Sequence, residues 1–377
     1  MPFLYVPVNG MTSGTTMSMR MEYQRWTPAV RRTQRLYSMY PGLLASENRM
    51  RVTRRRTETV VDRGGINRFS KRSRLQFRVK SRKAIFESAL DKLERALGTQ
   101  IQQYSPNPLA VSGSRASVLA AELFDWATMP ISADVVGGGL PPERAPRKRQ
   151  QLTNLLIFAT PFLFDGCVVC DFASGCGHQT IPLAVQFPKC TFVLIDMKAQ
   201  CIATAERRCS DLGLTNVRCI VGKIEDFEEP FDVGLSLHAC GVASDLAQNL
   251  CLRHRAVYIN CPCCVGKVVN WRANDIKYPR SLLIQNILSK TEYEQLARAG
   301  DFGHDGYDSS VKDERRLLRR RAKTMVEIDR NLYAHEQLAY KTWLFMLHPT
   351  TCTPKNDLVV GCIKKSDVAR FERFLQD

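Results

Sequence analysis

The sequence contains no apolar run long enough to span a bilayer, which takes roughly 20 residues in a helix. It also lacks a charged start followed by an apolar stretch, so no secretory signal is expected. Cysteine is absent from the first 166 residues, and all 14 cysteines fall between Cys167 and Cys362. Without a secretory signal they read as free thiols in a reducing compartment. Acidic residues are scarce at the start, where residues 1–83 hold 19 Lys and Arg against 4 Asp and Glu. The remainder holds 35 basic and 33 acidic residues, so the net charge of +17 belongs almost entirely to that first segment. Across 377 residues the hydrophobic content is 44%, ordinary for a protein that buries a sizeable core.

The basic segment mixes Arg31-Arg32, Arg54-Arg55-Arg56 and Arg63-Gly64-Gly65 without steady periodicity. Composition of this kind is expected to form a solvated, disordered arm over 1–83. An Arg-rich, acid-poor arm also fits two sharper roles, an RNA-binding element and an organelle transit segment. No membrane partner is expected.

Beyond the arm, apolar spacing predicts helices over Ser81–Leu97, Ser114–Trp126 and Gln150–Phe158. Residues 84–135 read as a helical segment and 136–377 as the main domain, with the break at Gly137-Gly138-Gly139-Leu140-Pro141-Pro142. From Cys167 onward the pattern alternates. Strands are expected at 168–174, 190–196, 217–222, 231–237 and 256–260, with helices at 178–187, 198–212 and 244–253. A helical insertion is expected over about 280–335, then two closing strands at 339–347 and 357–363. Apolar strands separated by helices imply an α/β fold, a doubly wound and mainly parallel sheet covered on both faces.

In such sheets ligands bind where the strands end. The first strand runs into Asp171-Phe172-Ala173-Ser174-Gly175-Cys176-Gly177, and a helix follows. A nicotinamide-type loop would place a third glycine where this chain has Thr180. The acidic residue four positions before the first glycine fits instead the D-x-x-x-G-x-G loop of S-adenosylmethionine-dependent methyltransferases. Asp171, Ser174, Gly175 and Gly177 are therefore candidate cofactor residues. Asp196 closes the second strand and can accept two ribose hydroxyls in a charge-assisted contact; capping the next helix is its plainer role. The third strand end supplies Glu225 and Asp226, either of which could meet the adenine, with Lys223 where an Asp is frequent; Glu225 is taken as the candidate.

The fourth strand ends in His238-Ala239-Cys240-Gly241 and the fifth in Cys261-Pro262-Cys263-Cys264. These strands should be neighbours, which gathers His238, Cys240, Cys263 and Cys264. The group has three readings: packing against the site, acceptor contact with His238 as general base and Cys240 beside it, and Zn²⁺ binding. The first two are preferred, and no metal set is assigned. The Asn/Asp-Pro-Pro-aromatic loop of amino-group methyltransferases is missing, so the acceptor atom stays open.

Residues 171–178, Leu237-His238-Ala239-Cys240-Gly241-Val242-Ala243-Ser244-Asp245, Cys261–Gly266 and Thr353-Pro354-Lys355-Asn356 together resemble a known family. It is the methyltransferase-like domain of glutathione S-transferase C-terminal domain-containing proteins, in the class I S-adenosylmethionine-dependent methyltransferase superfamily. Leu140–Arg144 and Arg147–Gln150 match the segment that this family places before the sheet. The resemblance covers about 140–365. It implies a seven-stranded Rossmann-like sheet, an S-adenosylmethionine pocket, methyl transfer to an unknown acceptor, and a cytoplasmic location. A glutathione role is not implied, because residues 1–135 show no matching pattern.

Overall fold

Residues 71–270, 276–302 and 314–377 are described in a computed structural model of the chain. The basic arm expected over 1–83 lies outside the described residues as far as residue 70. Helix α1 spans Lys71–Leu97, starting ten residues before the predicted Ser81. Helix α2 spans Arg115–Leu123 and α3 spans Ala145–Ala159. The Ser114 hydroxyl accepts from the Ser117 N–H at 3.1 Å, satisfying one of the free amides at the start of α2. The basic run 147–149, predicted to precede a helix, lies inside α3.

Five strands and three intervening helices follow. They are β1 Val168–Phe172, α4 Thr180–Gln186, β2 Thr191–Asp196, α5 Ala199–Asp211, β3 Val217–Val221, β4 Val233–Leu237, α6 Val242–His254 and β5 Val257–Cys261. The insertion contributes α7 Leu282–Ile287, α8 Lys290–Gly300 and α9 Glu314–Leu338, and β6 Lys341–Met346, β7 Asp357–Cys362 and α10 Lys365–Gln376 close the chain. Among the described residues no helix is long and apolar enough to cross a membrane.

The seven strands are ordered β3-β2-β1-β4-β5-β7-β6. All pairs from β3 to β5 are parallel, and β7 is antiparallel to both β5 and β6. This is the seven-stranded layout expected from the sequence. Successive strand residues point to opposite faces, and the cores divide accordingly. Cys170, Phe172, Val193, Ile195 and Tyr258 join the core that includes residues of α1, α6, α8 and α9. Val169, Phe192, Val233, Leu235 and Ile259 join the core that includes residues of α2, α3 and α10. The stretch 84–135 thus packs into the same cores as the sheet.

Helix α10 was not anticipated. It buries Phe371 and Phe374, and Phe371 lies 4.9 Å from Trp343 and 5.1 Å from Phe162 between ring centroids. Burying one such ring contributes about 1.5–3 kcal/mol, enough to hold a short terminal helix on the sheet.

Buried charges tie the insertion to the sheet. Arg330 of α9 donates to both Asp245 carboxylate oxygens at 2.9 Å, Arg280 lies 3.0 Å from the same carboxylate, and the Tyr278 hydroxyl donates to it at 2.6 Å. Arg330 also donates to Glu327 at 2.8 Å, and Lys323 donates to Glu327 at 3.0 Å and to Asp357. Isolated charges could not be buried here; they persist because each has a partner.

Candidate active site

Strand β1 sits between β2 and β4, so the crossovers leave it in opposite directions and open a crevice at its carboxyl end. The loop after β1 turns through two residues in the left-handed region, Ala173 and Gly175, both at φ 56°. Gly177 follows at φ 73°, and a β-carbon there would stand 2.8 Å from Leu194 and 2.9 Å from Ile181. Glycine is therefore required both by conformation and by the packing of α4 on β2. Gly175 instead faces open space, with nothing within 4 Å of where a β-carbon would stand. The Gly175 N–H donates to Asp196 Oδ2 at 2.9 Å, and the Lys198 N–H donates to Oδ1 at 2.8 Å. Asp196 thus binds the glycine loop to the end of β2 and closes the turn at Lys198 that leads into α5, whose start has no side-chain cap. Each of its oxygens retains acceptor capacity beyond that one bond. The Ser174 hydroxyl is buried with no hydrogen-bond partner among the described residues.

Asp171 has a different place from the ligand contact anticipated for it. Its carboxylate is completely buried and accepts from the Thr180 hydroxyl and the Gln179 amide. It orders the turn from beneath. Burial pushes its carboxyl up to about 7, against the pull of Thr180, Gln179 and Lys148. Arg208 of α5 braces the loop from the side, donating to the carbonyls of Ser132 at 2.8 Å, Asp134 at 2.9 Å, Ala133 at 3.2 Å and Cys176. Burial and the Arg208 charge push the neighbouring His178 down to about 3, so it stays neutral. Glu225 is exposed in the turn Ile224–Asp226 after β3.

The ends of β4 and β5 are adjacent, with Leu237 opposite Cys261. The His238 N–H donates to the Cys261 carbonyl at 3.1 Å, and the Gly241 N–H donates to the Cys264 carbonyl at 2.9 Å. These bonds lock the two loops together and converge the predicted side chains. Cys240 Sγ lies 2.9 Å from Cys263 Sγ, which lies 3.6 Å from Cys264 Sγ. The Cys263 thiol, then Cys264 and the charges of Lys267 and Lys355, hold the Cys240 thiol down at about 6.

His238 stands half-buried with φ 63°, its Nε2 3.0 Å from Gln151 Oε1. Gln151 donates its amide to the Cys352 carbonyl at 2.9 Å, which turns its oxygen toward the histidine. In this arrangement Nε2 is the nitrogen that donates to Gln151.

Three residues of this site were not singled out from sequence. Gln151 orients His238. Lys148 of α3 acts electrostatically on Asp171, Cys261 and Cys263, and burial pulls its ammonium down to about 8. Lys355 donates to Asp301 at 2.7 Å and toward Cys264 Sγ at 3.8 Å. The family resemblance of the segments 147–150 and 353–356 was the only signal for Lys148 and Lys355, and Gln151, just beyond the first segment, had none.

Residues 163–299 match a family described as a methyltransferase domain. The glutathione S-transferase C-terminal domain-containing protein of Xenopus laevis is 37% identical over 240 residues, which is 63% of this chain and 38% of that protein. The Drosophila melanogaster homolog is 35% identical over 291 residues, 77% of this chain and 48% of its own length. The Homo sapiens protein is 34% identical over 240 residues, 63% of this chain and 36% of its own. The chain spans less than half the length of each of these relatives. A solved structure described as a putative rRNA-methylase from Clostridium thermocellum aligns at 13% identity and a TM-score of 0.35, over 57% of this chain and 96% of that one. A likeness at that level carries no weight beside the strand order itself. The sheet thus has the strand order of the class I methyltransferase fold, residues 163–299 match a methyltransferase domain, and the chain is similar to the glutathione S-transferase C-terminal domain-containing proteins over the part of them that it covers.

Proposed function

We propose that the chain is an S-adenosylmethionine-dependent methyltransferase, with the cofactor held over the loop 173–177 and the acceptor presented at the ends of β4 and β5. The observation that carries this reading is the union of the glycine loop and Asp196 at the switch point, with open space above Gly175. The residues present fit that cofactor. Asp196 has acceptor capacity for ribose hydroxyls, and Ser174 offers a buried hydroxyl without a partner. Glu225 lies at the third strand end, where it would face the adenine of a bound cofactor. Bound there, the cofactor supplies an activated methyl group. The chain's own contribution is mainly positioning: Asp171 and Arg208 hold the loop, and Gln151 orients His238. His238 orients the acceptor or takes its proton, beside Cys240, Cys263 and Cys264.

The test is calorimetric titration of the full chain with S-adenosylmethionine and S-adenosylhomocysteine, followed by transfer of tritiated methyl into fractionated lysate. Binding must also raise the melting temperature by mass action. No heat and no thermal shift at millimolar ligand would overturn the proposal. Methyl incorporation that is unchanged in His238→Ala would remove His238 from the mechanism. The charge of residues 1–83 supports a second reading, a non-catalytic adaptor that keeps the pocket and holds RNA through that arm. It predicts cofactor binding without methyl incorporation, and RNA binding that weakens steeply with salt.

A further inference from the structure

Eight of the 14 cysteines are buried, where a thiol behaves as a small apolar group. The three at the ends of β4 and β5 differ. Cys240, Cys263 and Cys264 are each half-buried, and their sulfurs all lie within 4.8 Å of one another. Among the described residues they form the only such cluster of three or more His, Cys, Asp or Glu side chains. We propose that these cysteines form a binding site for a thiophilic divalent cation, Zn²⁺ by preference, with one coordination position left to water or to an incoming thiolate.

The geometry supports this in three ways. First, the sulfurs have the right spread. Ligands about 2.3 Å from a tetrahedral Zn²⁺ stand roughly 3.8 Å apart, and the observed separations of 2.9 and 3.6 Å fall near this with small side-chain adjustments. Second, the two loops are fixed before any ion arrives, because the His238 and Gly241 amides bond across to the Cys261 and Cys264 carbonyls. Gly241 adopts φ 63°, and a β-carbon there would stand 2.7 Å from Lys267 Cβ. This close fit sets the direction in which the Cys240 loop leaves β4. Third, a cation stands beside the sulfurs. Three thiolates and a divalent ion leave one net negative charge, and the Lys355 ammonium, which is ion-paired with Asp301 at 2.7 Å, stands 3.8 Å from Cys264 Sγ.

Among the described residues no fourth protein ligand belongs to the cluster, and Nε2 of nearby His238 is occupied by Gln151. Structural zinc sites are closed by four protein ligands, whereas sites with three keep an exchangeable position. With the ligands found among the described residues, the site is of the open kind. It does not depend on methyl transfer.

The test is titration of the reduced, chelator-treated full-length protein with Co²⁺, read by thiolate-to-cobalt charge-transfer absorption in the near ultraviolet. One equivalent should bind and be displaced by Zn²⁺. The signal should be lost in Cys263→Ser and in Cys240→Ser, and kept in Cys219→Ser, with circular dichroism confirming that each variant is folded. Where the serine variants fail to fold, maleimide labelling of the wild type decides, since Zn²⁺ should protect Cys240, Cys263 and Cys264 together. The proposal is overturned by absent absorption in the folded wild type, by absorption that persists in the folded variants, or by labelling that Zn²⁺ does not change. A Cys240–Cys263 disulfide as the form that survives reduction would also overturn it. A protein that binds Co²⁺ but no S-adenosylmethionine loses the methyltransferase reading and keeps this one.

Discussion

Asp245→Asn probes the buried charges behind the loop 238–241. Asp245 stands at the start of α6 and receives two hydrogen bonds from Arg330 and one from Tyr278, with Arg280 ion-paired beside them. Asparagine keeps the shape, removes the charge and sets an amide donor against guanidinium N–H groups. Arg330 then retains only Glu327 as an anionic partner, at 2.8 Å. Breaking a buried ion pair in this way costs about 3–5 kcal/mol. At roughly 2 °C per kcal/mol for a unit of this size, the melting temperature should fall by about 6–10 °C. The pH dependence has a definite sign. Burial pushes the Asp245 carboxyl up, but the Arg330 and Arg280 charges outweigh it and hold the group below the ordinary carboxylate value. Its stabilisation is thus fully present above the ordinary value near 4 and is lost as pH falls through the lower, folded value. The gap between wild type and variant should be complete at neutral pH and narrow in strong acid. The assay is thermal melting by circular dichroism across that range, with exposed Asp226→Asn as control. A fall below about 2 °C at neutral pH, or a gap that does not change with pH, would refute the reasoning.

Other outcomes follow from the same geometry. Gly177→Ala meets both a positive φ and contacts under 3 Å, so urea unfolding should show a loss of about 2–5 kcal/mol. Gly175→Ala faces open space; its stability should fall by only about 1–2 kcal/mol, while calorimetry should show weakened binding of S-adenosylmethionine. Asp196→Asn removes the charge from the proposed ribose contact, which is worth about 1.5–3 kcal/mol, and should weaken cofactor binding by about 10–150-fold. For Asp171 the folded pKa is raised to about 7, so its contribution diminishes stability as pH climbs from near 4 to near 7. Melting profiles of Asp171→Asn should lack that component, and profiles parallel to wild type would show that Asp171 does not titrate there.

The strand–helix alternation was legible because each strand is a short apolar run ending in an acid, a glycine turn or a cysteine cluster, and each helix carries periodic apolar residues. The neighbourhood of β4 and β5 followed from that layout, and with it the meeting of His238, Cys240, Cys263 and Cys264. Helix α10 was missed although Phe371 and Phe374 have helical spacing, because the terminal hairpin already completed the anticipated sheet. Asp171 was read as a ligand contact from its position before the glycines, yet nothing local shows that Thr180 and Gln179 fold back onto it. Lys148, Gln151 and Lys355 reach the site from a helix before the sheet and a loop before its last strand. Such meetings are set by packing over long sequence separations, and no spacing rule displays them.

The position of β7 bears on how this protein can be cut for experiments. The strand lies between β5 and β6, although it is the last of the seven in the chain. A fragment confined to residues 163–299 would keep the glycine loop, Asp196 and the three cysteines, yet lose β6 and β7 along with Lys148, Gln151 and Lys355. Its sheet would end at β5, whose five residues are all buried in the intact protein. An apolar edge with unpaired backbone groups invites pairing with another copy. Such a fragment should precipitate or oligomerise, so its silence in a binding assay would describe the excision rather than the intact protein.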